Sequence, residues 1–456
     1  MKRIPFTCLL IALSTATPCP AEFRVNIRAS NDQSNPGVAA DAYGNFIIVW
    51  ASYFQGERSN DIFARRFDPN GNPIGSEFQI NTAATGNQTE PSIAMDAQGN
   101  FIVTWQGPGV TTYDEEDIYA RKFDPTGQPL TNEFLVNAHT PGRQLSPNVA
   151  MNPTGNFVIL WETTSTPENP NKKSVCARLF DSTGSPTGPE LTIDASPYNC
   201  RYPDVAMDDT GNFVAVWLQD RTTKSIMARL YNTHGKALTN PFEVSTTKFS
   251  SLTRPSVAMS GTGRFVVTWD GDPKLASLDD IHARFYDPNS SPLTAQFTVN
   301  TTLAGAQQYP QVAMDRSGDF VIAWQNDSDI SATDIFAQGF NSLGQPRGDE
   351  LQLNTYTQDD QKYPVVALAE TGYFLAAWQS NGQDGSGYGI FAELVPPTPS
   401  PDLHTDGLVN FLDFAVLANE WLKEQNPLRA DLIDDNRIDE RDLAAFCQQW
   451  LVFTSE

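Results

Sequence analysis

A chain of 456 residues with 54 acidic against 30 basic side chains, a formal charge of −24, repels phosphate backbones and anionic lipid headgroups, which excludes nucleic acid and acidic membranes as partners. Gly and Pro together number 62 and aromatics make up 11%, a composition that suits an all-β protein with many tight turns. No run of 18 apolar residues follows the first segment, so no membrane span is expected.

Residues 1–21 read as an export signal, with Lys2 and Arg3 ahead of a short apolar stretch, Phe6 to Leu13, and a cleavage point after Ala21. The reading places the protein outside the cytoplasm: secreted, on the cell surface, or in the periplasm. A strand-like segment, 22–26, follows on its own.

A repeat then begins. Seven times a Pro is followed by a Phe ten residues on and a Trp fourteen residues on, from Pro36 and Trp50 to Pro364 and Trp378. Each copy carries four strand signals. In the second copy these are Pro91 to Met95, Phe101 to Trp105, Asp117 to Phe123 and Glu133 to Asn137. Between the first two strands stands an invariant Gly (Gly44 in the first copy, Gly372 in the last), as a tight turn with positive φ requires. Asp68-Pro69-Asn70-Gly71 is a turn between the third and fourth.

Seven repeats of four strands predict a seven-bladed β-propeller over 22–394. The blades fall at 36–81, 91–137, 147–194, 203–245, 255–300, 310–354 and 364–394. The last lacks a fourth strand, and 22–26 supplies one, closing the ring without an open sheet edge.

Length varies almost only between the second and third strands: from Trp to the next third-strand Ala the distances are 14, 15, 16, 11, 14, 13 and 14. Variable loops on a rigid scaffold carry binding residues disproportionately. The expected functional face is therefore formed by loops 51–60, 106–116, 162–173, 218–224, 270–280, 325–333 and 379–388. Several are acidic, with Asp114 to Asp117, Asp279, Asp280, Asp327, Asp329 and Asp334. The recurrent third-strand arginines (Arg65, Arg121, Arg178, Arg229, Arg284) and the Trp series read as scaffold. Cys176 and Cys200 break the repeat in neighbouring blades, and either a disulfide or two separate buried thiols fits that pattern.

After a Pro-rich linker, 395–401, a second repeat appears with an offset of 29 residues. Each half is an acidic twelve-residue loop followed by a helical apolar pattern ending in Trp-Leu. Oxygen ligands in this spacing form a Ca²⁺ loop of EF-hand type. The first loop offers Asp402, His404 at position 3, Asp406, the Leu408 carbonyl, Asn410 and Asp413. The second offers Asp431, Asp435, the Arg437 carbonyl, Asp439 and Asp442. On these positions, 402–456 resembles a type I dockerin, a small all-α domain. The resemblance implies folding on Ca²⁺ and docking onto a cohesin-like or cell-envelope protein. In it, the partner-reading pairs fall on Phe411 and Leu412, and on Glu440 and Arg441.

Function is read from these parts. The first expectation is a secreted, non-catalytic binding protein: the propeller's loop face takes a glycan or protein ligand and the tail docks it. The chain has only four His and lacks a Gly-x-Ser-x-Gly motif. An alternative is a polysaccharide-degrading enzyme, a glycoside hydrolase or lyase, since two loop carboxylates about 5–10 Å apart would suffice for hydrolysis. A second alternative is a structural surface-layer component, favoured if the loop face has no pocket.

Overall fold

The computed structural model describes residues 22–53, 59–83, 86–110, 115–165, 172–221, 223–247, 254–272, 278–327 and 332–397, together with 414, 432, 438, 441–443 and 446. Residues 1–21, read from the sequence as an export signal, much of the loop tips and most of the tail lie outside the described residues. The chain divides into two compact units, one of Pro20–Pro397 and one that includes Thr398–Glu456.

The first unit is the seven-bladed propeller. It holds seven four-stranded antiparallel sheets, six in simple sequential order and the seventh built from the chain's first strand and its last three. First strands, such as Gln33–Ala40, Thr89–Met95 and Asn199–Met207, lie innermost and line a central channel. Closure occurs as the repeat predicts. Phe23–Arg24 pairs with Tyr388–Val395 in the register Phe23 to Ala392 and Arg24 to Phe391. Asn26 extends the seam, its Oδ1 accepting the Ile390 N–H at 2.7 Å.

Second strands are apolar on both faces because each is sandwiched between neighbouring blades. The seven tryptophans of the repeat are all fully buried. Four donate their indole N–H to a Gln seventeen residues earlier, as Trp105 does to Gln88 at 2.8 Å. In the fourth blade Cys200 takes the Gln position, and Trp217 Nε1 is buried without a partner among the described residues. The seven turn glycines all have φ between 82° and 102°.

Of the two readings of Cys176 and Cys200, the structure holds separate buried thiols and not a disulfide. Cys176 fills an aromatic slot in the packing between the second and third blades, while the Cys200 thiol donates to Asp194 at 3.2 Å.

The third-strand arginines are scaffold. Each reaches back one blade to a fourth-strand carbonyl: Arg65 to Val25, Arg121 to Ile80, Arg178 to Val136, Arg229 to Ile193 and Arg284 to Val244, at 2.7–3.1 Å. Each also lies over an aromatic ring two residues on, as Arg121 does over Phe123. In the last blade this slot holds Glu393 instead.

Little of the tail is described, so its all-α character is not shown. Arg441–Leu443 is helical. Asp442 is buried, and its Oδ1 accepts the Leu432 N–H at 2.6 Å. Phe414 and Phe446 have ring centroids 6.0 Å apart. Among the described residues no helix is long and apolar enough to cross a membrane.

Candidate functional site

The site begins with a local irregularity repeated round the ring. In six blades the first strand carries a β-bulge at its conserved Pro, as between Thr89 and Ser92. The residue before that Pro is left-handed in each: Asn35, Glu90, Ser146, Tyr202, Tyr309 and Tyr363, with φ of 49–55°. None is Gly. A residue before Pro ordinarily prefers extended backbone, and a non-Gly residue in this region costs on the order of 1–3 kcal/mol. Bulges commonly re-aim a side chain. Here they set six side chains of four kinds, Asn, Glu, Ser and three Tyr, around one opening, and Arg254 occupies the corresponding place in the fifth blade.

Neighbouring blades brace the ring. The Gln after the conserved Trp accepts the backbone N–H of the next blade's ring residue: Gln106 from Ser146, Gln325 from Tyr363 and Gln379 from Asn35, at 3.0–3.3 Å. The strained backbone is thus held from outside, as a pre-formed site requires.

Below the ring the channel has a volume of about 260 Å³, and above it a vestibule opens of about 610 Å³. The latter lies within the roughly 300–1,000 Å³ common for ligand pockets. Asp220 and Lys224, from a loop between second and third strands, line the vestibule. It therefore opens on the predicted loop face. At the channel's other end neighbouring turns bond to one another, Asp209 N–H to Gly261 O and Gly261 N–H to Arg316 O, and the Arg316 guanidinium pairs with Asp209.

Within the ring the side chains form two groups. Glu90 accepts the Ser146 hydroxyl at 2.9 Å and lies 3.6 Å from the Arg254 guanidinium. Arg254 in turn stacks over Tyr202, 5.0 Å from its centroid. Tyr309 and Tyr363 form the second group. Burial and the adjacent Tyr363 push the Tyr309 phenol above its ordinary value, against the opposing pull of Arg254. Tyr309 therefore stays protonated at neutral pH and can donate a proton. Deeper in the channel, burial pushes the Asp204 carboxyl up to about 6, although it accepts the Val257 N–H at 2.9 Å.

The acidic loop residues do other work. Asp117 holds the Asn137 amide at 2.6 Å, Asp280 holds Asn300 at 2.9 Å and Asp334 holds Asn354 at 2.6 Å. Each Asn accepts a third-strand N–H, so these carboxylates organise the blade. Glu116 forms an ion pair with Arg143. Asp114 and Asp329 lie outside the described residues.

Of the proposed Ca²⁺ ligands, Asp402, His404, Asp406, Leu408, Asn410, Asp413, Asp431, Asp435, Arg437 and Asp439 lie outside the described residues, as do Phe411, Leu412 and Glu440. Asp442 is described and buried, and Arg441 is exposed. Among the described residues no group of three or more His, Cys, Asp or Glu could hold a metal ion.

No protein-family model matches the chain, and no curated relative matches it. Solved structures do match. A polysaccharide lyase, ulvan lyase, bound to -[GlcA(1-4)Rha3S]-, is 10% identical with a TM-score of 0.52, covering 82% of this chain and 96% of its own. The polysaccharide lyase Uly1 is 8% identical at a TM-score of 0.51, covering 81% and 91%. A protein of unknown function from Dyadobacter fermentans is 10% identical at 0.51, covering 82% and 97%. These likenesses establish the fold class, a seven-bladed β-propeller.

The expectation of a non-catalytic binding protein is corrected here. The solved structures sharing this architecture include polysaccharide lyases, so the propeller fold is one on which glycan-degrading sites occur. The vestibule also removes the ground for a purely structural surface component. The ring itself escaped the sequence reading, which looked for variation in loop length. Its signal was variation in chemistry at fixed length, in the residue before an invariant Pro.

Proposed function

We propose that this chain is a polysaccharide-degrading enzyme, a lyase or a glycoside hydrolase, that works at the mouth of the propeller channel. One observation carries the reading. Six ring residues share one costly backbone conformation yet differ in chemistry, so the strain serves to present side chains rather than to build the blade. Either reaction needs a proton delivered to the departing glycosidic oxygen, and the protonated Tyr309 phenol suits that task. Glu90 is the ring carboxylate available as a base. Arg254 supplies positive charge where negative charge develops.

Export through 1–21 fits an enzyme acting on polymers too large to enter a cell. The duplicated loops of the tail support Ca²⁺ binding and attachment to a cohesin-like or envelope partner. The one described ligand position agrees with a closed loop, since Asp442 turns back onto Leu432 within it. In the tail, carboxylates and carbonyls would hold the ion, and Ca²⁺ would contribute folding stability rather than chemistry.

The test is depolymerisation by the full chain across a panel of neutral, uronate-containing and sulfated polysaccharides. New reducing ends report cleavage, and absorbance from unsaturated ends separates elimination from hydrolysis. Loss of cleavage in Glu90→Gln and Tyr309→Phe, with the fold intact, supports the reading. No cleavage of any polymer counts against it.

A further inference from the structure

The charge of the vestibule runs against that of the chain. Overall the protein carries −24. The vestibule, however, is lined by three cations, Arg201, Lys224 and Arg254, against two carboxylates, Glu90 and Asp220. Arg201 is spoken for, with its Nε 3.0 Å from Asp220. Lys224 makes no ion pair among the described residues and is half-exposed. Arg254 lies 3.6 Å from Glu90, beyond hydrogen-bond distance, and makes no hydrogen bond among the described residues. Its donors are unspent.

We propose that the vestibule takes an anionic sugar unit, bearing a carboxylate or a sulfate ester, and that Arg254 binds its anion. The inference rests on the glycan-degrading reading above and names the substrate class of that site. A guanidinium offers a planar fork of donors that matches two oxygens of a carboxylate or sulfate. Stacking on Tyr202 at 5.0 Å fixes the plane of that fork before a ligand arrives. Lys224 adds a second point charge on the loop side. A cleft lined by such charge concentrates anions within it even when the remaining surface is acidic, because low-dielectric walls focus the local field. Two blades on from Arg254, Tyr363 also lines the vestibule, is 39% exposed and offers an apolar ring face to the uncharged side of a sugar.

Calorimetric titration of the full chain with three oligosaccharides of equal length tests this: an oligogalacturonate, a sulfated carrageenan fragment and a neutral cello-oligosaccharide. The expected result is that at least one anionic probe binds about tenfold tighter than the neutral one, with affinity falling as salt rises. Which anionic probe prevails separates carboxylate from sulfate recognition. Arg254→Met should weaken that binding about tenfold or more without lowering the thermal midpoint, the effect of losing charge-assisted hydrogen bonds. Arg254→Lys should restore part of it. Lys224→Ala, a change on a half-exposed loop, should give a smaller loss should the Met variant fail to fold.

Equal affinity for the neutral probe, wild-type affinity in both Arg254→Met and Lys224→Ala, or no binding of any probe would overturn the proposal. Cleavage of neutral polymers alone would leave the enzyme reading standing and remove this one. Arg254-dependent binding of an anionic probe without cleavage of any polymer would do the reverse.

Discussion

Tyr309 and Tyr363 meet edge to face at the channel mouth, with ring centroids 5.0 Å apart and planes at 78°. Both owe that position to the same left-handed turn before a Pro, in adjacent blades. Their contact joins burial and mutual proximity in keeping the Tyr309 phenol protonated.

Tyr309→Phe keeps the ring contact and removes the proton. Cleavage should fall by about 10²–10⁴-fold, the usual worth of a general acid, while the KM and the thermal midpoint hold. Steady-state kinetics and a melting curve check this. Because the phenol is raised above its ordinary value near 10, its loss of the proton should not limit the rate between pH 6 and 9.

Ring closure depends on a short seam. Asn26 accepts the Ile390 N–H at 2.7 Å and donates to Gln33 at 2.8 Å. Asn26→Ala leaves a buried N–H unpaired and should cost about 1–3 kcal/mol. Urea unfolding reads the loss. The same substitution at the exposed Asn70, in a surface turn, should cost much less.

Glu393 occupies the slot that arginines fill in the first five blades. Burial, with Glu22 nearby, pushes its carboxyl up to about 7 from an ordinary 4.5, and its Oε2 has no hydrogen-bond partner among the described residues. A raised carboxyl is protonated in the folded chain while already ionised in the unfolded one. Its contribution to stability therefore declines as pH rises from about 4.5 to about 7 and is level above that. Glu393→Gln should raise the thermal midpoint at pH 8 and leave it nearly unchanged at pH 4.5. Paired melting curves across that range measure the difference.

The propeller was legible because its scaffold repeats: Pro, Gly and Trp recur at fixed spacing, and each recurrence has one structural cause. The arginines were legible for the same reason, since a side chain repeated in five blades does a job that five blades share. The ring was not. Sequence rules start a strand at the conserved Pro and read the residue before it as extended. In the structure Glu90 and Tyr202 adopt φ of about 50° inside a bulged strand that starts earlier, at Thr89 and Asn199. Nor does charge alone tell Asp117, which organises its own blade, from Glu90, which faces the vestibule. Cys200 was ambiguous for a related reason. Departure from the repeat fitted a bridge or a separate buried thiol equally, and only the structure shows that the slot is that of an amide bonded to Trp, with the thiol turned to Asp194.

The most direct test of the account compares wild type with Glu90→Gln on uronate-containing and sulfated polysaccharides, recording reducing ends and unsaturated products together. The account predicts depolymerisation by the wild type and its near-complete loss in a variant with an unchanged melting curve. Cleavage at the wild-type rate by Glu90→Gln would contradict a catalytic site at the channel mouth. No cleavage of any polymer by the wild type would contradict the enzyme itself.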